Sequence, residues 1–277
     1  MTSTVTEPGP RIPPGLSPRR RAKRARAIQY TALTVIAVVI VSMANWKLIA
    51  DAFFRVDLAW EMIPELFTVG LANTLIYTVT GYALGFVLGL GLAIMRLSTV
   101  RVNRVIASTY IELFRGMPAL LVFLLLAFGV PVAFPGFVMP FDTYGTVALG
   151  LGLVSAAYLA ETFRAGIQAV PKGQVEAARS LGMSHAQATR TIVLPQAVRI
   201  VIPPLTNELI LLFKDSSLVY VIGVSSATRE LAKYGSDMST LHGNPTPLVV
   251  AGLTYLLITI PLSFVVRRLE RKQGEAR

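Results

Sequence analysis

Thirty consecutive residues, Leu66 to Met95, contain no Asp, Glu, Lys or Arg. A helix needs about 20 apolar residues to cross the hydrocarbon layer of a bilayer, so this run is longer than a span requires. Five further apolar segments stand at Ile28–Leu48, Pro118–Pro135, Tyr144–Ile167, Ile192–Phe213 and Leu248–Val266. Only 15% of the residues are charged, 53% are hydrophobic, and the mean hydropathy is +0.61. A soluble domain carries about a quarter charged residues. The pattern predicts an all-α integral membrane protein with about six transmembrane helices.

The charged residues then set the topology. The net charge is +11, which in a soluble protein would suggest nucleic acid. Here Lys and Arg gather at the chain ends and in loops, where cytoplasmic segments carry them. Arg19–Arg26 precedes the first apolar run, and Arg267, Arg268, Arg271 and Lys272 follow the last. Both termini are therefore expected in the cytoplasm. Arg96, Arg101 and Arg104, and then Arg164, Lys172, Arg179 and Arg190, mark two further cytoplasmic segments. Residues 1–26 read as a disordered basic tail, 27–64 as an N-terminal transmembrane helix with an external loop, and 65–277 as the main transmembrane domain. Arg19–Arg26 reads as a topology signal that also touches anionic lipid. Ala227–Asn244 reads as a polar external loop. Gly81, Gly85 and Gly89 form a smooth stripe for close helix packing.

One polar stretch interrupts the apolar chain, Gln174 to Ala197. Pro171 suits a helix start, and Lys172–Ser180 then reads as a short helix. Gly182 falls where a helix ends on a left-handed residue. Ser184 and Gln187 match a capping box opening a second helix, which runs toward Leu194 and meets Pro195, where a kink is expected. Two short helices bent around a glycine present a knob to a partner. Ala177 and Ala178 permit close approach, and Glu176 offers a charge to fix orientation.

Glu176-Ala177-Ala178, then Gly182, then Ile192, Leu194 and Pro195, resemble in residue and gap the coupling loop of ATP-binding-cassette importer permeases. Glu112-Leu113-Phe114-Arg115-Gly116-Met117-Pro118 resembles that family's Arg-Gly-Thr-Pro segment, with Met117 where Thr is common. Ala156–Ile167 and Thr206–Leu218 are similar to its fourth- and fifth-span segments. Together they resemble the subfamily for polar amino acids, over roughly Leu66 to the C-terminus. The resemblance implies an importer-type permease core in which Glu176, Ala177, Ala178, Arg179, Gly182, Leu194 and Pro195 couple to a cytoplasmic ATPase dimer. It implies an extracytoplasmic substrate-binding protein, a second and similar permease in a heterodimer, a bacterial cell-membrane location, and a small polar amino acid as substrate, with glutamate the leading candidate.

The fifth span is polar for a lipid-exposed helix, which places it inside a bundle or along a watery path. Glu208 and Asp215 lie seven residues apart on one face, and Asn207 and Lys214 form a neighbouring stripe. With Ser216, Arg115 and Glu161 they are the candidate translocation path. For Glu208 the alternative is pairing with Arg115 or Lys214 to hold the bundle, while Glu161 and Arg164, three apart, read as a structural pair. His185 reads as an exposed loop residue.

There is no Gly-x-x-x-x-Gly-Lys-Ser/Thr phosphate loop, so ATP hydrolysis is assigned to a partner and the chain is not expected to be an enzyme. With 0 Cys and only His185 and His242 as histidines, neither a thiolate nor a histidine metal site is expected, and no cofactor is. The rival reading is a secondary amino-acid transporter driven by an ion gradient, which would carry broken helices and an internal repeat.

Overall fold

The computed structural model describes residues 18–274, so residues 1–17 of the disordered tail expected over 1–26 lie outside the described residues. Those described are helical with short connections, without a strand, and the chain divides into two compact units between Asp51 and Ala52.

In the first unit, α1 (Pro18–Met43) runs unbroken from the basic block into the apolar run. Lys23, Arg24 and Arg26, expected in a disordered tail, are helical instead. Arg, Lys and Ala are good helix formers, and the adjoining apolar helix removes the cost of nucleation. The apolar side chains of α1 are exposed, Ile28 at 70% and Ile40 at 64%, as befits a helix that is apolar all round and meant for lipid. The helix stops at Met43, short of the expected Leu48. Asn45 accounts for this, because its Oδ1 accepts the Leu48 N–H at 3.1 Å and opens α2 (Trp46–Phe53).

The second unit begins with α3 (Val56–Glu65), which leads through a π turn (Leu66–Leu71) into α4 (Ala72–Leu97). The region expected as an external loop is thus folded into the unit. Met62, Leu66 and Leu71 are buried with Phe213, Leu231, Tyr234 and Ala251.

The centre is the pair α4 and α8 (Thr143–Gln168). They run parallel, with Asn73 beside Tyr144, Gly85 beside Ser155 and Arg96 beside Glu161. The glycine stripe makes this possible. A Cβ on Gly85 would lie 2.0 Å from Ser155 Oγ, and one on Gly89 would lie 2.9 Å from the Ala156 carbonyl. Gly85→Leu is expected to destabilise the protein by about 3 kcal/mol, the upper end of the usual overpacking cost, because its Cβ alone already meets Ser155 and the Gly152 carbonyl. Gly91, with open space around its Cβ position, is the control on the same helix. Thermal unfolding in detergent should separate the two, with Gly91→Leu close to wild type.

Between them, α5 (Arg101–Gly116) bends by 104° into α6 (Ala119–Leu124), which continues through a π turn (Leu125–Gly129) into α7 (Val130–Ala133). Met117 is extended at the bend (φ −97°, ψ 133°), as a residue before proline must be. Beyond α8 come α9 (Lys172–Ser180), α10 (His185–Ala188), a π turn (Thr189–Val193) and α11 (Leu194–Asp215). A 3₁₀ segment (Ser216–Ile222), α12 (Leu231–His242) and α13 (Thr246–Gly274) complete the chain.

Five helices are long and apolar enough to cross a membrane, or six if the bent α5 with α6–α7 is one span. This matches the expected count. The polar external loop expected over Ala227–Asn244 is instead largely α12. Leu231 and Tyr234 are fully buried, and Glu230 caps the helix by accepting the N–H groups of Ala232 and Lys233 at 2.6 Å each. Burial pushes the Glu230 carboxyl above the usual range, against those two N–H groups and the Tyr255 hydroxyl.

Candidate functional site

The segment Pro171–Pro195 folds from local signals. Pro171 is the residue before the first helical turn, not within it, with ψ 128°, and Lys172–Ser180 is helical as expected. Gly182 is left-handed at φ +87°. Its N–H meets the Arg179 carbonyl at 3.0 Å, and the Met183 N–H meets the Ala178 carbonyl at 3.1 Å. That pair of bonds is a Schellman motif. Ser184 and Gln187 then form a complete capping box, with bonds of 2.8 and 3.2 Å. Pro195 does not end the helix. The π turn just before it widens the helix, which accommodates a proline ring and its missing donor, and α11 continues. The turn at Leu125–Gly129 precedes Pro131 in the same register.

The structure divides the coupling residues by exposure. Glu176, Ala177, Arg179, Gly182, Leu194 and Pro195 are exposed, and Leu181 is 86% exposed. Ala178 is buried, so its small size serves packing within the chain rather than the approach of another surface. His185 is exposed as expected. Two features tie the knob to α11. Gln196 Nε2 donates to Gln174 Oε1 at 2.5 Å, and Val170, Val193 and Ala197 form a small core with Ile167, Val175 and Ile200.

From there α11 runs into the bundle. A cavity of about 480 Å³ opens between α8 and α11, with Arg115 at its side. Of the candidate path residues, Arg115, Glu161 and Glu208 line it. Asn207 and Lys214 are exposed and do not line it, while Asp215 and Ser216 stand at the far end of α11. Ser216 is buried and donates to the Phe213 carbonyl at 2.8 Å.

The charges in the cavity are held differently. Glu161 is bound by Arg164 at 2.6 Å, the expected pair, and also by Arg96 of α4 at 3.4 Å. Arg96 in turn donates to Ser108 Oγ on α5 at 2.5 Å. This network joins three helices, and Arg96 was read only as a topology signal. Glu208 differs. Among the described residues it is in none of the ion pairs, so the pairing with Arg115 or Lys214 weighed from sequence is not what the protein adopts. Arg115 instead lies 5.6 Å from the centre of the Tyr158 ring, a cation–π contact. One wall of the cavity thus presents a guanidinium and another a carboxylate without a salt-bridge partner.

Comparison with known proteins identifies the family. Residues 81–275 match the family described as the binding-protein-dependent transport system inner membrane component. The arginine transport system permease protein ArtQ of Bacillus subtilis is 37% identical over 203 residues, covering 73% of this chain and 90% of that protein. The glutamate/aspartate import permease protein GltK of Escherichia coli is also 37% identical, over 211 residues, covering 73% of this chain and 91% of that protein. The crystal structure of an amino acid ABC transporter with histidines superposes with a TM-score of 0.69 at 35% identity, covering 76% of this chain and 95% of that one. On these matches, the chain belongs to the inner membrane components of binding-protein-dependent transport systems, the permease subunits of ATP-binding-cassette importers.

Proposed function

We propose that this chain is the transmembrane subunit of an importer for a small polar amino acid, working by alternating access. The observation that carries the reading is continuity: the exposed knob α9–α10 is bonded and packed onto α11, and α11 carries Glu208 into the cavity. A cytoplasmic ATPase dimer docks on Glu176, Ala177, Arg179 and the Gly182 turn, and its closure moves α11. Both termini lie in the cytoplasm of a bacterial cell, with 1–26 as a basic tail. An external binding protein delivers substrate at the opposite end of the bundle. A second, similar permease completes the path as a heterodimer.

Arg115 and Glu208 match the two charges that every α-amino acid carries, since guanidinium suits a carboxylate and a free carboxylate suits an ammonium group. Glutamate is the leading candidate. The side-chain charge is the open variable, because relatives named for arginine and for glutamate/aspartate share the same 37% identity with this chain.

The test is uptake of radiolabelled amino acids by proteoliposomes holding the whole complex. Uptake is expected to need internal ATP and to persist when ionophores collapse all ion gradients. Competition by a panel of unlabelled amino acids then ranks glutamate. Uptake that survives without ATP and vanishes with the gradient would instead establish the secondary-transporter reading.

A further inference from the structure

Residues 223–231 join the 3₁₀ segment after α11 to the start of α12 at the end of the bundle away from the knob. The stretch before Leu231 is not helical, yet its backbone is bonded in place. Asn73 Nδ2 donates to the carbonyls of Ala227 and Arg229 at 2.8 and 3.0 Å. Tyr77 donates to the carbonyl between them, that of Thr228, at 2.6 Å. Thr74 Oγ1 accepts the Leu231 N–H at 3.1 Å. Tyr144 of α8 fixes the amide of Asn73 from behind, donating to its Oδ1 at 2.7 Å. Three consecutive carbonyls are thus captured by side chains of one helix, α4.

What flanks the stretch is equally particular. Gly223 has φ +75° and no neighbour within 4 Å of its Cβ position, the conformation and the space of a hinge. A cavity of about 280 Å³ adjoins Ile222 and Gly223, so the hinge has room to move into. On the other side the chain is anchored. Glu230 is fully buried and accepts the Tyr255 hydroxyl of α13 at 2.9 Å, and Arg229 pairs with Glu65 at 2.5 Å.

We propose that residues 223–228 are a latch that closes this end of the bundle, held shut by Asn73, Tyr77 and Tyr144 and released by movement of α11 about Gly223. The proposal rests on the alternating-access reading, which makes this end the external mouth. Side-chain-to-carbonyl bonds suit the task. They are broken without unwinding any helix, and each shifts the closed-to-open ratio by about fivefold, the size of one net hydrogen bond.

The chain has 0 Cys, so an introduced thiol reports alone. Val219→Cys places one at a fully buried position, in the core that holds Tyr77 and against which Val224 of the latch packs. The permease, assembled with its ATPase and binding protein in proteoliposomes, is exposed to a membrane-impermeant maleimide. Labelling of the permease band is expected to rise about fivefold with Tyr77→Phe, and further with Asn73→Ala. Tyr110→Phe is the control, because it removes a comparable hydroxyl-to-carbonyl bond, to Leu153 at 2.9 Å, between α5 and α8. It should leave labelling unchanged. Should Tyr77→Phe fail to insert, Tyr144→Phe gives the same readout by loosening Asn73. Unchanged labelling in the latch variants, or an equal rise with Tyr110→Phe, overturns the proposal. A selective rise in the variants, together with no ATP-driven uptake by the complex carrying the wild-type permease, sinks the importer reading and leaves the latch standing.

Discussion

Replacing Gly182 with valine is expected to abolish co-purification of the ATPase while leaving the permease inserted in the membrane. No side chain would clash there, since the space around the Gly182 Cβ position is open. The effect is conformational. At φ +87° an L residue costs about 1–2 kcal/mol, and a β-branched one costs more. That is too little to unfold a bundle buried through α4 and α8. It is enough to undo a turn held by the two bonds of a Schellman motif, after which α9 and α10 lose their fixed angle. Asparagine tolerates the left-handed region, so Gly182→Asn should keep part of the association. Pull-down with each variant, with membrane insertion measured in parallel, checks the order Gly, Asn, Val. Full ATPase recovery with the valine variant would show that the angle of the knob is irrelevant to docking.

Glu208→Gln is expected to lower uptake by about 10- to 100-fold, the worth of a hydrogen bond to a charged group, with the protein at least as stable as before. The two signs are the point of the experiment. A half-buried carboxylate without a salt-bridge partner is held at a cost to the fold, so neutralising it relieves that cost. If Glu208 merely braced the bundle, the same change would lower Tm. Glu161→Gln supplies the contrast, because Glu161 is bound by Arg164 and Arg96. Its loss leaves two guanidinium groups without their carboxylate, and Tm should fall. Uptake and thermal unfolding on both variants decide the matter, and a Glu208→Gln protein that transports normally removes Glu208 from the path.

The knob was legible because its determinants are local. Gly182, Ser184 and Gln187 act within a few residues of themselves, and each occupies the role that spacing assigned. The spans were legible for a similar reason, since length and absence of charge are properties of a single segment. What escaped the sequence lies between segments. Arg96 meets Glu161 across 65 positions, and no pattern within either helix announces it. Leu231 and Tyr234, three apart in polar surroundings, were too sparse to mark α12, whose burial comes from α13 and the π turn at Leu66–Leu71. Ala178 illustrates the limit of composition. Small residues permit close approach, but only the fold decides whether the approaching surface is a partner or the chain itself.

The π turn at Thr189–Val193 has a consequence for aim. It is one residue longer than the α-helical turn it replaces, and each helical residue carries a rotation of about 100° and a rise of about 1.5 Å. It stands between the knob and all of α11. The extra residue is therefore a screw setting. Excising it while the knob stays fixed would turn α11 by more than a quarter revolution, and Glu208 would face a neighbouring helix instead of the cavity. The direction in which the carboxylate points is set a dozen residues and more before it, in a turn that does not line the cavity.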